Sequence, residues 1–319
     1  MDEFDLIDVI LAEQAPATDA APSGDRLVVG PGDDAAVLNS GPDRDWVLST
    51  DTLVAGRHFP EGLHAGLVGR RALAVNLSDL AAMGADPGAF LVALTHPQLD
   101  ADWARAFARG LAKTAEGTGA HLAGGNLARG PLSVTVTVTG SVPAGAALLR
   151  SGARPGDLLY VSGRIGDGHA GLRLLEQEPE RLAGLDPDAV PEALAAYLTP
   201  QPRVALGRAL RERASACVDV SDGLMADLTH LCRASGVGAR VLLERVPCVG
   251  DATRALVAGD DYELLFTLPA QMETELTELR ATAGVEIHRI GRMTEDPEVL
   301  LLDGDGERVA VPEPGWTHF

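Results

Sequence analysis

The chain has 319 residues, of which 46% are hydrophobic, enough for two ordinary globular domains with a core in each. Its 26 basic residues stand against 46 acidic ones, and the net charge of −20 argues against nucleic acid or an anionic membrane as a partner. No apolar run reaches membrane-spanning length, and residues 1–11 predict an acidic amphipathic helix rather than a signal peptide.

The cysteines and the single lysine exclude several kinds of site. The three cysteines are odd in number and lack the two-residue spacing of redox or zinc pairs, which predicts reduced thiols in a cytoplasmic protein. Lys113 is the only lysine, and its neighbours lack the glycine spacing of a phosphate-binding P-loop. If the protein handles a nucleotide, metal ions, arginines and backbone amides must therefore neutralise the phosphates.

The first strands of the chain lead into acidic turns. A strand over residues 27–29 runs into Gly30-Pro31-Gly32-Asp33-Asp34, where glycines allow a turn that brings two carboxylates together, although the same residues are also ordinary turn formers. A second strand, residues 46–53, carries Asp51 near its end, a position well placed for ligands in α/β folds. His58 follows in a loop, as a turn residue or a ligand contact.

The most informative helix comes next. Leucines recur at helical spacing from Leu73 to Leu80, and Gly84 stands where a helix usually ends. Asp79 lies late in this apolar helix with no lysine or arginine within one turn. A buried carboxylate without a partner would be protonated or would need a cation, so a bound metal ion is a candidate; the alternative is an exposed aspartate near a helix end.

The rest of the first half alternates between strand and helix patterns. A strand, a helix, a short strand, a glycine loop and a long strand are predicted over residues 90–95, 100–116, 120–123, 124–130 and 132–140. Backbone amides of the glycine loop could approach a phosphate. A boundary near residues 141–145 predicts one domain over residues 1–143 and another over residues 144–319.

The second half of the chain also has acidic residues next to predicted apolar strands. A short strand delivers Asp219, Ser221 is a natural helix N-cap, and Asp222 falls in the first turn, where the helix dipole favours a carboxylate. Simple capping explains Asp222 but not Asp219. Asp260 and Asp261 lead into a further apolar strand. Other strands are predicted over residues 158–162, 285–290 and 299–302, a helix over residues 202–213, and a surface insert over residues 179–191.

The acidic residues at strand ends, glycine turns and the apolar helix are all aspartates: Asp33, Asp34, Asp51, Asp79, Asp219, Asp222, Asp260 and Asp261. Oxygen ligands with a short reach suit magnesium, which commonly joins one or two carboxylates to substrate phosphates. More carboxylates than one ion needs suggest several ions around a polyphosphate, and phosphoryl transfer needs mainly positioning and charge neutralisation.

Taken together and in order, these motifs resemble those of the thiamine-monophosphate kinases, essentially from end to end. The matching segments are residues 30–37, 49–53 with 58–59, 76–85, 219–224, 260–267 and 315–319. That family belongs to the aminoimidazole ribonucleotide synthetase superfamily. The resemblance implies two α/β domains, the first closing a β-barrel with its dimer mate, and phosphorylation of thiamine monophosphate to thiamine diphosphate by ATP without a protein nucleophile.

The resemblance also implies roles for individual residues. Magnesium ligands are expected at Asp33, Ser49, Thr50, Asp51, Asp79, Asn126, Asp219 and Asp222, with Asp79 and Asp222 organising the metals. Contacts to ATP are expected from Arg109, Gly125, Asn126, Arg150 and Ser221. The thiamine moiety is expected to meet His58, Asp260 and Trp316. The expected assembly is a cytoplasmic homodimer.

Three positions depart from the family's pattern. Asn126 stands where the family has a magnesium-binding aspartate, Arg109 replaces a tyrosine, and Asp260 replaces a glutamate. A neutral amide oxygen can still ligate magnesium, but more weakly. Two alternatives therefore stay open, namely another ATP-dependent synthetase of the superfamily and a catalytically weak nucleotide-binding relative.

Overall fold

The structure is a computed structural model that describes residues 27–311. The helix predicted over residues 1–11 and the terminal Trp316 lie outside the described residues. The described strands, β1 to β12, are Leu27–Val29, Ala36–Asn39, Arg44–Val54, Asp86–His96, His121–Arg129, Ser133–Pro143, Leu158–Ser162, Ala216–Asp219, Gly238–Leu242, Leu264–Leu268, Ile287–Thr294 and Val299–Leu302.

Helices alternate with these strands. The described α-helices, α1 to α8, are Ala65–Ala82, Ala101–Ala115, Asp167–Gln177, Glu192–Leu198, Val204–Leu210, Leu224–Ser235, Ala252–Ala255 and Leu276–Ala283. Short 3-10 helices are Pro179–Gly184, Leu243–Arg245 and Ala270–Glu275. None of the helices within residues 27–311 is long and apolar enough to cross a membrane.

The strands form two mixed six-stranded sheets, which confirms the predicted α/β class. The first has the order β1-β2-β3-β6-β4-β5, antiparallel except for the parallel pair β4 and β5. The second has the order β12-β9-β11-β7-β10-β8, antiparallel except for β12 and β9. Both sheets are open within residues 27–311, so the barrel implied by the resemblance is not closed by this one chain. The predicted division at residue 143 stays a prediction.

Helix α1 joins the two sheets. It packs on α2, β3 and β6 of the first half and on α5 and β8 of the second. Sixteen of its eighteen residues are buried, because apolar and small side chains cover nearly its whole circumference. Gly84 then adopts φ +66°, a conformation that few L-residues tolerate, and ends the helix as the sequence predicts. A polar residue on α1 can therefore reach either sheet.

The glycine stretch after residue 123 differs from its prediction. Instead of a loop, residues 121–129 form the single strand β5, paired in parallel with β4. Gly125 has φ +157°, and a Cβ atom there would lie 1.9 Å from the carbonyl oxygen of Val92. The glycine thus serves the close approach of two strands. The helix predicted over residues 202–213 is also shorter, ending at Leu210.

Candidate active site

A cavity of about 420 Å³ lies beside α1, where elements of both sheets meet. This volume suits a small-molecule ligand. The cavity gathers residues that are far apart in the sequence but were predicted to share a site. Those that line it are Asp51, His58, Asp79, Asp219, Ser221, Asp222 and Asp260.

Asp79 is the carboxylate of α1 that faces this cavity. The Ser49 hydroxyl donates a hydrogen bond of 2.6 Å to Asp79 Oδ2, which ties the helix to β3. None of the ion pairs formed by residues 27–311 includes Asp79. Burial raises the pKa of Asp79, and the nearby carboxylates of Asp51 and Asp219 raise it further. A site that disfavours ionised carboxylates in this way is stabilised by an added cation.

The end of β3 is held by a second polar residue of α1. The side-chain oxygen of Asn76 accepts the backbone N–H of Asp51 at 3.0 Å, and its amide nitrogen donates to the carbonyl of Ala72. Asn76 is fully buried, so both hydrogen bonds are needed to satisfy its amide. Asn76 and Asp79 of α1 thus hold Asp51 and Ser49, two alternate residues of β3.

Asp219 ends β8 on the opposite wall. It is only 2% exposed, and its Oδ2 accepts a 2.6 Å hydrogen bond from the hydroxyl of Ser78 on α1. Burial raises the pKa of Asp219 to about 6, against the opposing effects of Ser78 and Arg150. Two consecutive residues of α1 therefore contact the two sheets: Ser78 donates to Asp219 of β8, and Asp79 accepts from Ser49 of β3.

The loop after Asp219 is held by a residue that sequence reasoning missed. Asp227 of α6 accepts the backbone N–H groups of Ser221, Asp222 and Gly223 at 3.1 to 3.2 Å. Helix α6 begins at Leu224 with Gly223 as its N-cap, so the predictions of Ser221 as N-cap and Asp222 in the first turn are wrong. Because Asp227 binds these amides, the side chains of Ser221 and Asp222 are left to line the cavity.

A further acidic pair lies behind this wall. Both carboxylate oxygens of Asp33 accept the backbone N–H of Arg150, at 3.0 and 3.2 Å, while the Arg150 guanidinium pairs with Asp34. Burial raises the pKa of Asp34, and Arg150 opposes the shift. Asp34 Oδ2 is buried without a hydrogen bond to the described residues. The predicted nucleotide contact Arg150 is thus already engaged by carboxylates.

The other end of the cavity is organised by Arg71, a fully buried residue of α1. Its guanidinium donates to the backbone carbonyls of His58 and Tyr197, pairs with Asp260, and lies 4.2 Å from the centre of the Tyr197 ring. The Tyr262 hydroxyl donates to the same Asp260 oxygen at 2.9 Å. Arg71 therefore connects two predicted thiamine contacts, His58 and Asp260.

Electrostatics favour the charged form of Arg71 despite its burial. Burial alone lowers the pKa of Arg71, but Asp260 and the two tyrosines outweigh it and the net shift is upward. Asp260 and Tyr262 have φ values of +71° and +53°, conformations that L-residues rarely adopt. Their backbone N–H groups donate to the carbonyls of Ser221 and Val220 at 2.8 Å, which holds this strained loop against β8.

The carboxylates of this cavity fit magnesium ions that take only one or two protein ligands each. Within residues 27–311, no three His, Cys, Asp or Glu side chains are grouped closely enough to hold a metal ion by themselves. Magnesium commonly takes one or two carboxylates and completes its shell with water and substrate phosphates. The raised pKa values of Asp79 and Asp219 and the all-oxygen donor set agree with ions that enter together with a phosphate ligand.

Two family models together match most of the chain. The model described as AIR synthase related protein, N-terminal domain, matches residues 32–142, and the model of the corresponding C-terminal domain matches residues 154–303. The thiamine-monophosphate kinase of Escherichia coli strain K12 is 42% identical over 301 residues, covering 91% of this chain and 92% of that protein. The chain belongs to the thiamine-monophosphate kinase family.

Solved structures of this family have the same fold. Thiamine-monophosphate kinase from Stenotrophomonas maltophilia K279a superposes with a TM-score of 0.76 at 39% identity, over 96% of this chain and 98% of that one. AaThiL, solved in complex with AMPPCP and TMP, gives a TM-score of 0.80 at 30% identity, over 100% of this chain and 97% of that one.

Some positions picked out by the family pattern lie away from the cavity. Gly125 and Asn126 are on the exposed edge strand β5, three strands from Asp51 and so about 14 Å across the sheet. Arg109 is exposed on α2 and lines a separate groove with residues of β5. The Thr50 hydroxyl bonds across to Thr137 on the opposite face of the sheet from Asp51, because successive side chains of a strand alternate.

Proposed function

We propose that this protein transfers the γ-phosphate of ATP to the phosphate of thiamine monophosphate, producing thiamine diphosphate and ADP. The observation that carries the proposal is the cavity itself, whose acidic wall of Asp51, Asp79, Asp219 and Asp222 faces the Arg71–Asp260 end. A relative of the same fold, at 30% identity, was solved with AMPPCP and TMP together. Relatives that cover nearly the whole chain are named for this activity.

The reaction needs no protein nucleophile. An oxygen of the substrate phosphate forms a bond to the γ-phosphorus of ATP as the bond between that phosphorus and the bridging oxygen breaks, and ADP leaves. Magnesium, when bound, neutralises the charge that the phosphoryl groups would otherwise bring together. Of the proposed ligands, Asp51, Asp79, Asp219 and Asp222 line the cavity. Asp33, Ser49, Thr50 and Asn126 are proposed on the family's pattern alone. Ser49 and Ser78 keep the carboxylates of Asp79 and Asp219 oriented.

The opposite end of the cavity holds the thiamine moiety in this proposal. Asp260 offers carboxylate oxygens to an aminopyrimidine, and Arg71 and Tyr262 fix their position. His58 Nδ1 accepts the backbone N–H of Val54 at 3.0 Å, which sets the orientation of its ring at the cavity wall. Of the proposed ATP contacts, Ser221 lines the cavity. Arg150, Gly125, Asn126 and Arg109 are proposed on the family's pattern alone.

The acceptor requirement tests this function against its alternatives. In a reaction with magnesium and ATP, we expect the rate of ADP release to depend on thiamine monophosphate. Thiamine without its phosphate is the control and should not stimulate ADP release. Release that is equally fast without thiamine monophosphate would favour another ATP-dependent enzyme of the superfamily. No release with any acceptor would favour a nucleotide-binding relative without catalysis.

Asn126→Asp is expected to raise the apparent affinity for one magnesium ion, because it restores a charged ligand at the family's aspartate position. The measurement is a magnesium titration of activity at fixed ATP, with Asn39→Asp, on another exposed part of the first sheet, as the control. A midpoint that does not move to lower magnesium would show that position 126 does not ligate the ion.

Removal of residues 316–319 is expected to raise the KM for thiamine monophosphate much more than the KM for ATP. Trp316 is proposed to stack on the cationic thiazolium, an interaction made equally in the ground and transition states. Both KM values and the melting temperature should be measured. An unchanged KM for thiamine monophosphate with a lowered melting temperature would leave the tail a structural role only.

We further propose a cytoplasmic homodimer in which the first sheets of two chains combine into a barrel. All nine residues of the edge strand β5 are exposed, and Leu127 on it is 68% exposed. A long, open edge of this kind is normally paired or covered. Sedimentation equilibrium should give twice the 33.2 kDa mass of one chain. A single-chain mass at micromolar concentration would contradict the dimer.

A further inference from the structure

The second sheet has a face that its helices cover only in part. Helices α5 and α8 enclose an apolar cluster against β7, β8 and β10, which includes Tyr160 and Phe266. Among the described residues, no member of that cluster comes from β9 or β12. The part of this face formed by β9, β12 and residues 289–292 of β11 therefore lies outside this cluster.

Arginines converge on this part of the face. Arg240, Arg245, Arg289 and Arg292 line a concavity of about 290 Å³ together with Leu242, Gly291 and Leu302. Arg240 of β9 and Arg292 of β11 are directly opposite each other in the strand register. Like charges in that relation destabilise a sheet. In a chain of net charge −20, a cluster of four arginines does not follow from overall composition.

Protein groups neutralise little of this charge. Arg240, Arg245 and Arg292 make no side-chain hydrogen bond or ion pair with the rest of residues 27–311. Arg289 pairs with Glu273 at 3.2 Å, but its Nε is buried without a partner in the described chain. Other arginines are matched with carboxylates, such as Arg203 with Glu263. The four guanidinium groups therefore retain many free donors around one concavity.

We propose that this cluster, Arg240, Arg245, Arg289 and Arg292, is a binding site for a small ligand that carries two or more phosphate groups. Guanidinium groups present planar pairs of donors that match phosphate oxygens. The volume of about 290 Å³ lies just below the roughly 300–1,000 Å³ typical of small-molecule sites, which favours a compact ligand over a folded partner. The site shares no lining residue with the cavity beside α1, and the proposal does not depend on the proposed kinase activity.

The test is calorimetric titration of the full chain with inorganic diphosphate in EDTA, where no divalent cation can draw diphosphate into the acidic cavity. We expect saturable binding that weakens as salt rises, because the contacts are electrostatic. The double variant Arg240→Gln/Arg292→Gln should weaken binding at least about tenfold, since it removes two charged donors. Arg181→Gln, which changes an exposed arginine paired with Glu178, should leave binding unchanged.

Two further measurements complete the test. Arg245→Gln alters one exposed residue of a 3-10 helix and should weaken binding even if the double variant does not fold. Titration with ADP and with thiamine diphosphate in EDTA identifies the ligand: tighter binding than inorganic diphosphate assigns an organic diphosphate, and equal binding assigns the diphosphate group alone. No binding to the unaltered chain would overturn the proposal, as would affinities that none of the arginine cluster substitutions changes.

Discussion

Asp79→Asn is expected to reduce kcat on the order of a thousandfold while leaving the fold intact. The magnesium-linked charge stabilisation at stake is several kcal/mol, and each 1.36 kcal/mol is a factor of ten in rate. Asparagine has the same shape and can still accept the Ser49 hydroxyl, so the packing of α1 is preserved. The substitution also removes a carboxylate whose pKa is raised by desolvation.

Steady-state kinetics at saturating magnesium and the melting temperature of the metal-free protein together check this expectation. The melting temperature should stay the same or rise, because a disfavoured ionisable group has been removed. Asp102→Asn, on the exposed side of α2, is the matched control and should leave kcat unchanged. A near-normal kcat for Asp79→Asn would remove Asp79 from the proposed metal site.

Arg71→Met is expected to have the second large effect, on stability and on thiamine monophosphate binding together. Removing one partner of a fully buried ion pair typically costs about 3–5 kcal/mol. The cost is expected to be smaller here, because the Asp260 side chain that remains is 28% exposed. The partner here is Asp260, and the carbonyls of His58 and Tyr197 also lose their donor. We therefore expect a lower free energy of unfolding and a raised KM for thiamine monophosphate.

The neighbouring arginine provides a matched control for this result. Arg70 is on the same helix but donates to the carbonyl of Pro187, away from Asp260. Arg70→Met should leave the KM for thiamine monophosphate unchanged. Arg71→Lys keeps the charge without the planar fork and should recover stability better than affinity. Equal KM effects of Arg70→Met and Arg71→Met would indicate that Arg71 has no specific role in positioning Asp260.

Much of the fold followed from local pattern. Strand β6 alternates valine and threonine, and its buried valines confirm the period-two prediction. Helix α1 could be predicted because the leucine spacing indicates a helix and Gly84 marks its end. Where a clear hydrophobic period is bounded by a turn residue, few other secondary structures fit the segment. The positions of such strands and helices could therefore be predicted from one sequence.

The failures arose where tertiary contacts decide local structure. The Gly124-Gly125 pair looks like a loop, but the missing side chain of Gly125 allows a close approach to β4 that no local pattern reveals. Ser221 looks like an N-cap, but Asp227 supplies the carboxylate and moves the helix start to Leu224. In both cases the deciding atoms belong to residues outside the motif itself.

The same limit applies to the site. Aspartates at strand ends could be predicted, because their position relative to apolar strands is visible in the sequence. Arg71 could not, although an arginine inside an apolar helix is a signal, because its ion-pair partner Asp260 is 189 residues away along the chain. The alternation of Thr50 and Asp51 between the two faces follows from the predicted strand, but only the packing of β3 on α1 shows which of them faces the cavity.

The central claim is tested most directly by identifying the product. The purified protein should be incubated with magnesium, γ-labelled ATP and thiamine monophosphate, and the label should be followed by chromatography. The proposed transfer predicts labelled thiamine diphosphate in a one-to-one ratio with ADP, absent when Asp79→Asn replaces the unaltered chain. Label recovered as inorganic phosphate, with no thiamine diphosphate formed, would contradict it.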